Sequence, residues 1–232
     1  MNSASFTTPV APEALASAFG SNLATVSASG GDTDPNTPGI QLPTTLNGTT
    51  VQVRDSAGTI RLAPLTFVSG SQVNYQIPSG TQIGTADVTI SSPGNISTGS
   101  VQIASTAPGL FTANSAGTGL ASGTWQRYNS AGQLIVPDQL LTTAIDFGQP
   151  GDIVFLILYG TGIRFRSSLS AVTASIGGQA GSVEYAGAQG SFVGLDQINI
   201  RLPRTLAGSG SNVPVVLTVD GHAANTVTVN IQ

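Results

Sequence analysis

The chain has 232 residues, of which 8% are charged, and its formal net charge is -4. All seven basic residues are arginines, and because a phosphate-binding face needs a clustered basic patch, we expect no nucleic-acid partner. The absence of cysteine excludes disulfides and thiolate metal sites and leaves the cellular compartment open.

The amino terminus, residues 1–5, lacks the basic and apolar regions of a secretory signal. We therefore expect that a signal was removed or that the chain is an excised piece. The longest apolar run, residues 153–158, is far shorter than the roughly 20 residues that cross a bilayer. It predicts a strand buried on both faces and no membrane insertion.

The first half of the chain predicts short strands separated by turns of glycine, proline and serine. The alanines of residues 12–18 favour helix, but we expect a short strand there, because an internal repeat aligns this segment with the strand-like residues 151–158. Residues 27–41 predict a long inserted loop. The other predicted strands of this half are residues 50–54, 59–62, 72–77, 86–90 and 99–103.

The middle of the chain, residues 105–148, has no counterpart in the first half and contains the single tryptophan. We expect Leu110 and Phe111 to pack where two domains meet. Residues 125–128 and 133–136 predict a hairpin that extends the second domain.

The second half opens with a predicted short helix at residues 137–141, since proline suits a first helical turn. Strand-like segments follow, and Asp220-Gly221 is a strong hairpin signal between the last two. The predicted strands are residues 153–158, 173–176, 182–185, 197–202, 215–219 and 226–231.

Two segments of the first half recur in the second. Residues 71–78 (SQVNYQIP) return 125 residues later as residues 196–203 (DQINIRLP), and residues 19–23 (FGSNL) match residues 159–163 (YGTGI). A repeat of this long period indicates two related domains. In both copies of the longer motif apolar and polar residues alternate, as in a half-buried strand.

Length and strand spacing favour a pair of sandwiches. The chain is about twice the size of a roughly 100-residue immunoglobulin-type sandwich, and its strands recur at about 8 to 12 residues. We therefore predict an all-β chain of two tandem immunoglobulin-like β-sandwich domains. The first spans residues 1–104 and includes loop 27–41, and the second spans residues 105–232 and includes the linker and hairpin.

Several segments together resemble a known family. They are residues 19–23, 42–43 (LP), 107–111 (APGLF), 151–154 (GDIV), 159–162 (YGTG) and 194–200 (GLDQINI). The combination is similar to the tandem domain of unknown function at the carboxyl end of many large exported proteins of Solibacter-type acidobacteria, whose halves are similar to IPT/TIG immunoglobulin-like domains. The resemblance covers nearly the whole chain and implies an exported, non-catalytic pair of sandwiches. It brings no catalytic residues, and loop 27–41 is longer than the family leads us to expect.

Candidate catalytic residues are sparse. The single histidine, His222, directly follows the Asp220-Gly221 turn, and the sequence has no Gly-x-Ser-x-Gly elbow. Glu13 and Glu184 are the only glutamates, and their spacing does not indicate a carboxylate pair. We therefore expect a non-catalytic protein without a cofactor.

One loop begins like a calcium site. Asp32, Asp34 and Asn36 place oxygen-bearing side chains at alternate positions. However, Pro35 stiffens the loop, and no glutamate follows to complete the shell as a bidentate ligand. An ordinary polar loop is the favoured interpretation, and calcium binding is the alternative.

The unrepeated segment contains Trp125, Gln126, Arg127 and Tyr128 in a row. Aromatic rings cover apolar sugar faces while amide and guanidinium groups bind hydroxyls, so these four residues are a candidate carbohydrate site. In a strand, however, the two rings would face opposite sides, and one would enter the core. Buried packing at the domain junction is therefore the favoured interpretation, and glycan binding is the alternative.

Gln72 and Asn74 recur as Gln197 and Asn199. A repeated polar pair on one strand face predicts side-chain to backbone hydrogen bonds that tie neighbouring loops, rather than a binding site.

The sequence thus predicts an extracellular or cell-surface module that acts as a spacer, adhesion or assembly element. Its expected partners are other proteins or further copies of itself, met through sheet edges or apolar patches. The alternative function is a carbohydrate-binding module that uses Trp125 and Tyr128, with a polysaccharide as the partner.

Overall fold

The computed structural model describes residues 1–36 and 39–232, and over these residues the chain forms nineteen β-strands and two short 3-10 helices. The strands of the first half are β1 (Leu15–Phe19), β2 (Ala28–Ser29), β3 (Thr45–Leu46), β4 (Thr49–Arg54), β5 (Ile60–Leu62), β6 (Leu65–Val68), β7 (Gln72–Gln76), β8 (Gly84–Ser92) and β9 (Asn95–Ile103). Those of the second half are β10 (Gly109–Leu110), β11 (Gly123–Tyr128), β12 (Leu134–Leu140), β13 (Ile153–Thr161), β14 (Val172–Ile176), β15 (Gln179–Ala188), β16 (Asp196–Arg201), β17 (Gly210–Val219), β18 (His222–Ala223) and β19 (Val227–Ile231). The 3-10 helices are Leu169–Ala171 and Arg204–Leu206.

The first nine strands form two sheets with a shared core. One sheet has the order β1-β7-β6-β2, and the other has the order β3-β4-β8-β9 with β5 paired to β4. Along β4 and β7 buried residues alternate with more exposed ones, which is the period of a half-buried strand. Val51, Val73 and Tyr75 accordingly lie in the core that the two sheets share.

Asp55 ties two turns of this sandwich together. One carboxylate oxygen accepts hydrogen bonds from the amides of Ala57 and Thr59, and the other accepts bonds from the Arg61 guanidinium at 2.7 Å and the Gln82 amide at 3.2 Å. Desolvation raises the pKa of this buried carboxyl. The hydrogen bonds from Arg61 and the three amides outweigh that effect and hold the pKa of Asp55 below its ordinary value of 3.8.

We expect Asp55 to make the first domain sensitive to acid. Because its folded-state pKa lies below the unfolded value, the stability that the carboxylate contributes is complete above pH 3.8 and is lost as the pH falls through the folded-state pKa. Urea unfolding of the wild type and Asp55→Asn, from about pH 7 to about pH 2, measures this contribution. The free-energy difference between the two proteins should shrink below pH 3.8, and a difference that stays constant would contradict the role of the charge.

The strands from β10 onward form one ten-stranded sheet that folds over to make the second sandwich. Its order is β12-β11-β13-β16-β15-β14-β17-β18, with β10 paired to β13 and β19 paired to β17. Strand β15 joins the two faces, because residues 179–181 pair with β14 and residues 182–188 pair with β16. The core includes Leu156, Ile198 and Leu217.

The sequence repeat is also a repeat of strand register. Phe19 lies opposite Gln72 in the first sandwich, as Tyr159 lies opposite Gln197 in the second. Strands β6 and β15, which pair with the two repeated strands, each have a β-bulge at the matching position. The predicted duplication is therefore confirmed at the level of strand pairing.

The helix predicted at residues 137–141 is wrong, because residues 137–140 continue strand β12 and Leu141 lies in the turn that follows it. Pro137 and Asp138 together lie opposite the single residue Gln126, which makes a β-bulge. A bulge in an edge strand tolerates proline, since no ladder hydrogen bond requires its missing N–H. The hairpin predicted for this segment is confirmed by the pairing of β11 with β12.

Every strand pair within these sheets is antiparallel, and the hydrophobic residues of each half gather in a core of their own. The short strand predicted at residues 12–18 is confirmed by β1, and the hairpin at Asp220-Gly221 by the pairing of β17 with β18. The chain is an all-β protein of two tandem immunoglobulin-like β-sandwich domains. Within the described ranges, no helix has the length and apolar character needed to cross a membrane.

Candidate functional site at the domain junction

Trp125, the centre of the predicted carbohydrate site, faces the interior of the second domain. The residue is 5% exposed and belongs to the same core as Leu156, which lies opposite it on β13. Its indole Nε1 donates to Thr143 Oγ1 at 3.5 Å. A ring in this position packs against protein and offers no open face to a sugar.

The other three predicted sugar ligands are divided between the two faces of β11. Gln126 and Tyr128 lie on the outer face, where the Tyr128 hydroxyl donates to Gln126 Oε1 at 3.0 Å and Gln126 Nε2 donates to Asp138 at 2.8 Å. Arg127 forms ion pairs with Asp146 and Asp152. The hydrogen bond from the Gly148 amide and the Arg127 guanidinium lower the pKa of Asp146. The structure therefore does not bring the four residues together as one platform.

The predicted calcium residues lie in an exposed part of loop 27–41. Asp32 Oδ1 accepts the amides of Asp34 and Gln41, and Asp34 Oδ1 accepts the amide of Asn36. These are consecutive Asx turns, in which carboxylates serve the loop's own backbone. No group of three His, Cys, Asp or Glu side chains suited to a metal occurs in the described residues, and residues 37 and 38 lie outside them. Calcium binding stays a prediction.

His222 is exposed at the start of β18, after the turn that its sequence position predicted. The neighbouring Asp220 accepts hydrogen bonds from the amide and the hydroxyl of Ser167. This arrangement fixes the turn to the preceding loop.

The repeated amides bond to each other within their own strands. Gln72 Nε2 donates to Asn74 Oδ1 at 2.8 Å, and Gln197 Nε2 donates to Asn199 Oδ1 at the same distance. Ser17 Oγ also donates to Asn74 Oδ1, which ties β1 to β7. The role is structural, as predicted, but the partners are side chains rather than the backbone of loops.

A cluster of charged residues lies where the two domains meet. Arg164 Nε donates to Asp196 Oδ1 at 2.7 Å, and Arg164 Nη1 lies 3.1 Å from Oε2 of Glu13 in the first domain. The Asp196 side chain is fully buried and also accepts the amides of Ile163 and Arg164. Burial raises the pKa of Asp196, while the Arg164 guanidinium and the two amides act in the opposite direction.

Further hydrogen bonds cross the same junction. Thr161 Oγ1 accepts the amide of Leu15 and donates to the carbonyl of Gly194, both at 2.8 Å. Asn2, which is 1% exposed, donates through Nδ2 to the carbonyl of Ala107 at 2.8 Å. Leu15 and Asn2 belong to the first domain. The bond from Leu15 therefore connects that domain to the second domain, and the bond from Asn2 connects it to the linker.

An apolar cleft of about 370 Å³ opens beside this junction. Its apolar walls are Leu15, Ile40 and Leu42 from the first domain and Phe192, Val193 and Leu195 from the second. The inserted loop and its flank therefore form one wall. Phe111, expected at the junction, lines a second groove there together with Phe6 and Phe19 of the first domain. Leu110, also expected at the junction, lies instead in the core of the second domain.

The sequence did not identify Arg164, Asp196 and Glu13 as a cluster, because they are far apart in the chain. One signal was present. Asp196 occupies the first position of the repeated motif, where the first copy has Ser71. A carboxylate that replaces a hydroxyl at the start of a buried strand requires a cation nearby. Arg164, which directly follows the second copy of the shorter motif at residues 159–163, provides that cation.

No family model matches the chain, and no curated protein matches it. Among solved structures, it is similar to the titin Ig tandem domains A164-A165, with 10% identity, coverage of 80% of this chain and 82% of that one, and a TM-score of 0.22. A chimeric titin Z1Z2 functionalised with a peptide from decorin has 17% identity, 88% and 98% coverage and a TM-score of 0.21. The I9-I11 tandem of titin has 9% identity, 95% and 94% coverage and a TM-score of 0.19. The fold given above rests on the sheets and their register.

Proposed function

We propose that the chain is a non-catalytic spacer and assembly module, acting outside the cell or at its surface, in which two immunoglobulin-like domains are held in one relative orientation. The observation that carries this proposal is the Arg164 cluster, which joins Glu13 of the first domain to the buried Asp196 of the second. A module of this kind sets the distance and angle between whatever is attached at its two ends.

The junction has the features of a fixed joint. Its ion pairs are largely shielded from water. In such a shielded setting, charge interactions are stronger than on an open surface. The amino-terminal segment adds Asn2, buried against the linker. Interfaces between domains of one chain are usually small and permit relative motion unless specific contacts restrain them. Here several directional bonds act together, which supports a stiff connection.

The carbohydrate alternative gains no support from the geometry of Trp125, because the ring is packed in the core. Adhesion to a protein partner is compatible with the spacer role, since a rigid pair of domains presents its loops and strand edges in fixed positions. Both domains would then contribute surfaces to the same partner.

Glu13→Gln tests the fixed orientation. The change removes the charge that Arg164 contacts across the junction and leaves the Arg164–Asp196 pair within the second domain intact. We expect both domains to remain folded. Small-angle scattering should show a broader distribution of interdomain distances, and NMR relaxation should show that the two domains tumble more independently of each other. Arg201→Ala, which removes an exposed arginine of the second domain, is the control and should change neither measurement.

Arg164→Ala should have the larger effect, because it also leaves the Asp196 carboxylate buried without its cation. Loss of one partner of a buried pair costs about 3–5 kcal/mol, so the second domain should be destabilised as well. If both variants retain the wild-type scattering curve and relaxation rates, the fixed-spacer proposal fails.

A further inference from the structure

Strand β9 is a long sheet edge, and over most of its length no other strand of the described residues pairs with its outer side. It pairs with β8 from Asn95 to Ile103 without a register shift. On its other side, the described residues supply one backbone pairing, at the end of the strand, where the Val10 amide donates to the carbonyl of Gln102 and the Val10 carbonyl accepts the amide of Ala104. At the start of the strand, the Asn95 side chain donates to the carbonyl of Asn22. The remainder of this edge faces solvent.

The contact with Val10 shows which backbone groups point outward. In an antiparallel pair, successive residues direct their N–H and C=O groups to alternate sides. Since Gln102 bonds outward to Val10, the backbone groups of Ser100, Thr98 and Ile96 also point away from β8. These three residues therefore offer a row of donors and acceptors with the spacing of a β-ladder.

The edge also lacks the features with which proteins protect exposed strands. Native edges are usually very short, or are interrupted by proline, a bulge or a charged side chain. Strand β12, the other long edge, has Pro137, Asp138 and a bulge, and β1 is covered by the bridge between Asn2 and Ala16. Strand β9 has neither proline nor charge nor bulge, and Ile96 in it is 70% exposed.

A groove of about 210 Å³ lies beneath this edge, between β9 and β1. Its apolar lining includes Tyr75, Val88, Ile90 and Val101 of the first-domain core. Gly99 occupies the central inward-facing position of the edge, and a Cβ there would meet no atom of the described part of the chain within 4 Å. The missing side chain leaves space for an apolar group that comes from outside.

We infer that β9 binds an extended segment of a partner protein, which adds a strand along Ile96, Thr98 and Ser100 and places one bulky apolar side chain into the groove at Gly99. In this mode, backbone hydrogen bonds provide affinity and the pocket for an alternate side chain provides specificity. A second copy of β9 fits less well, because its inward-facing Ser97 and Gly99 are too small to fill the groove and its inward-facing Val101 is already packed in its own core. The inference goes beyond the spacer role and can fail independently of it.

Selection from a phage-displayed library of random dodecapeptides on the intact chain tests this inference. We expect enriched peptides to alternate polar and apolar residues around one large aliphatic or aromatic residue. Thr98→Pro removes an outward donor without removing a bond to β8, and should weaken these peptides about tenfold or more. Thr98→Val keeps the N–H and is the matched control, which should bind like the wild type.

Gly99→Val provides a second test that does not depend on proline. Its side chain fills the groove in a position where nothing obstructs a Cβ, so the domain should remain folded while the peptides lose their site. In the complex with the wild type, the amides of Thr98 and Ser100 should become protected from hydrogen exchange. The inference would be overturned if no peptide family is enriched, or if Thr98→Pro and Gly99→Val bind the enriched peptides as tightly as the wild type does.

Discussion

Replacing Trp125 with alanine is expected to destabilise the second domain by about 3–5 kcal/mol, the usual cost of truncating a buried tryptophan. The residue is 5% exposed and lies in the core that includes Leu156 and Leu158. Truncation would remove its apolar contacts and leave a cavity that rigid β-strands on either side cannot fill by collapse. Urea unfolding, with Trp125→Phe to separate loss of volume from loss of aromatic character, measures this cost.

The same variant decides the carbohydrate alternative. If the ring serves packing, Trp125→Ala lowers the free energy of unfolding, and any retention on insoluble polysaccharides does not depend on residue 125 in the folded protein. Tyr128→Phe is the control on the opposite face, where only the hydroxyl bonded to Gln126 is lost, and it should cost at most about 1 kcal/mol. A Trp125→Ala protein that keeps wild-type stability but loses selective retention would instead establish a glycan site.

The sequence predicted the architecture well because the strands alternate with a clear period and recur in two copies. Residues 72–77 and 197–202 carry the strongest pattern, and strands β7 and β16 include all but the last residue of each segment. The helix at residues 137–141 failed because a local proline signal was weighed without knowledge of the neighbouring strand. In the structure, pairing with β11 decides the conformation, and a bulge accommodates Pro137.

The junction was less accessible to sequence reasoning, since its groups converge only after folding. Glu13 and Arg164 are 151 positions apart in the chain, yet their charged atoms lie 3.1 Å apart. Composition gave no reason to pair them, because arginine and glutamate are residue types that usually lie on an exposed surface. Asp196 was the informative residue, as a buried charge must be compensated by a partner that the fold supplies.

The other large effect is expected at Gly162, which lies in the left-handed region with φ of +77°. A Cβ at this position would come within 2.2 Å of the carbonyl oxygen of Ala107, the same oxygen that accepts the hydrogen bond from Asn2. Gly162→Ala must therefore displace the linker as well as strain its own backbone. Left-handed strain costs about 1–2 kcal/mol and overpacking about 1–3 kcal/mol, so we expect a loss of about 2–5 kcal/mol and a loosened junction.

The repeat supplies a matched pair that separates strain from collision. Asn22 occupies the position of Gly162 in the first copy of the motif and also has a positive φ, of 55°. Asparagine tolerates this conformation better than alanine, so Gly162→Asn keeps the collision with Ala107 but relieves much of the strain. We expect Gly162→Asn to remain clearly destabilised in thermal unfolding, whereas Asn22→Gly should change stability little. A wild-type melting temperature for Gly162→Asn would show that the linker can move aside, and the close approach of Ala107 would then not explain why glycine occupies this position.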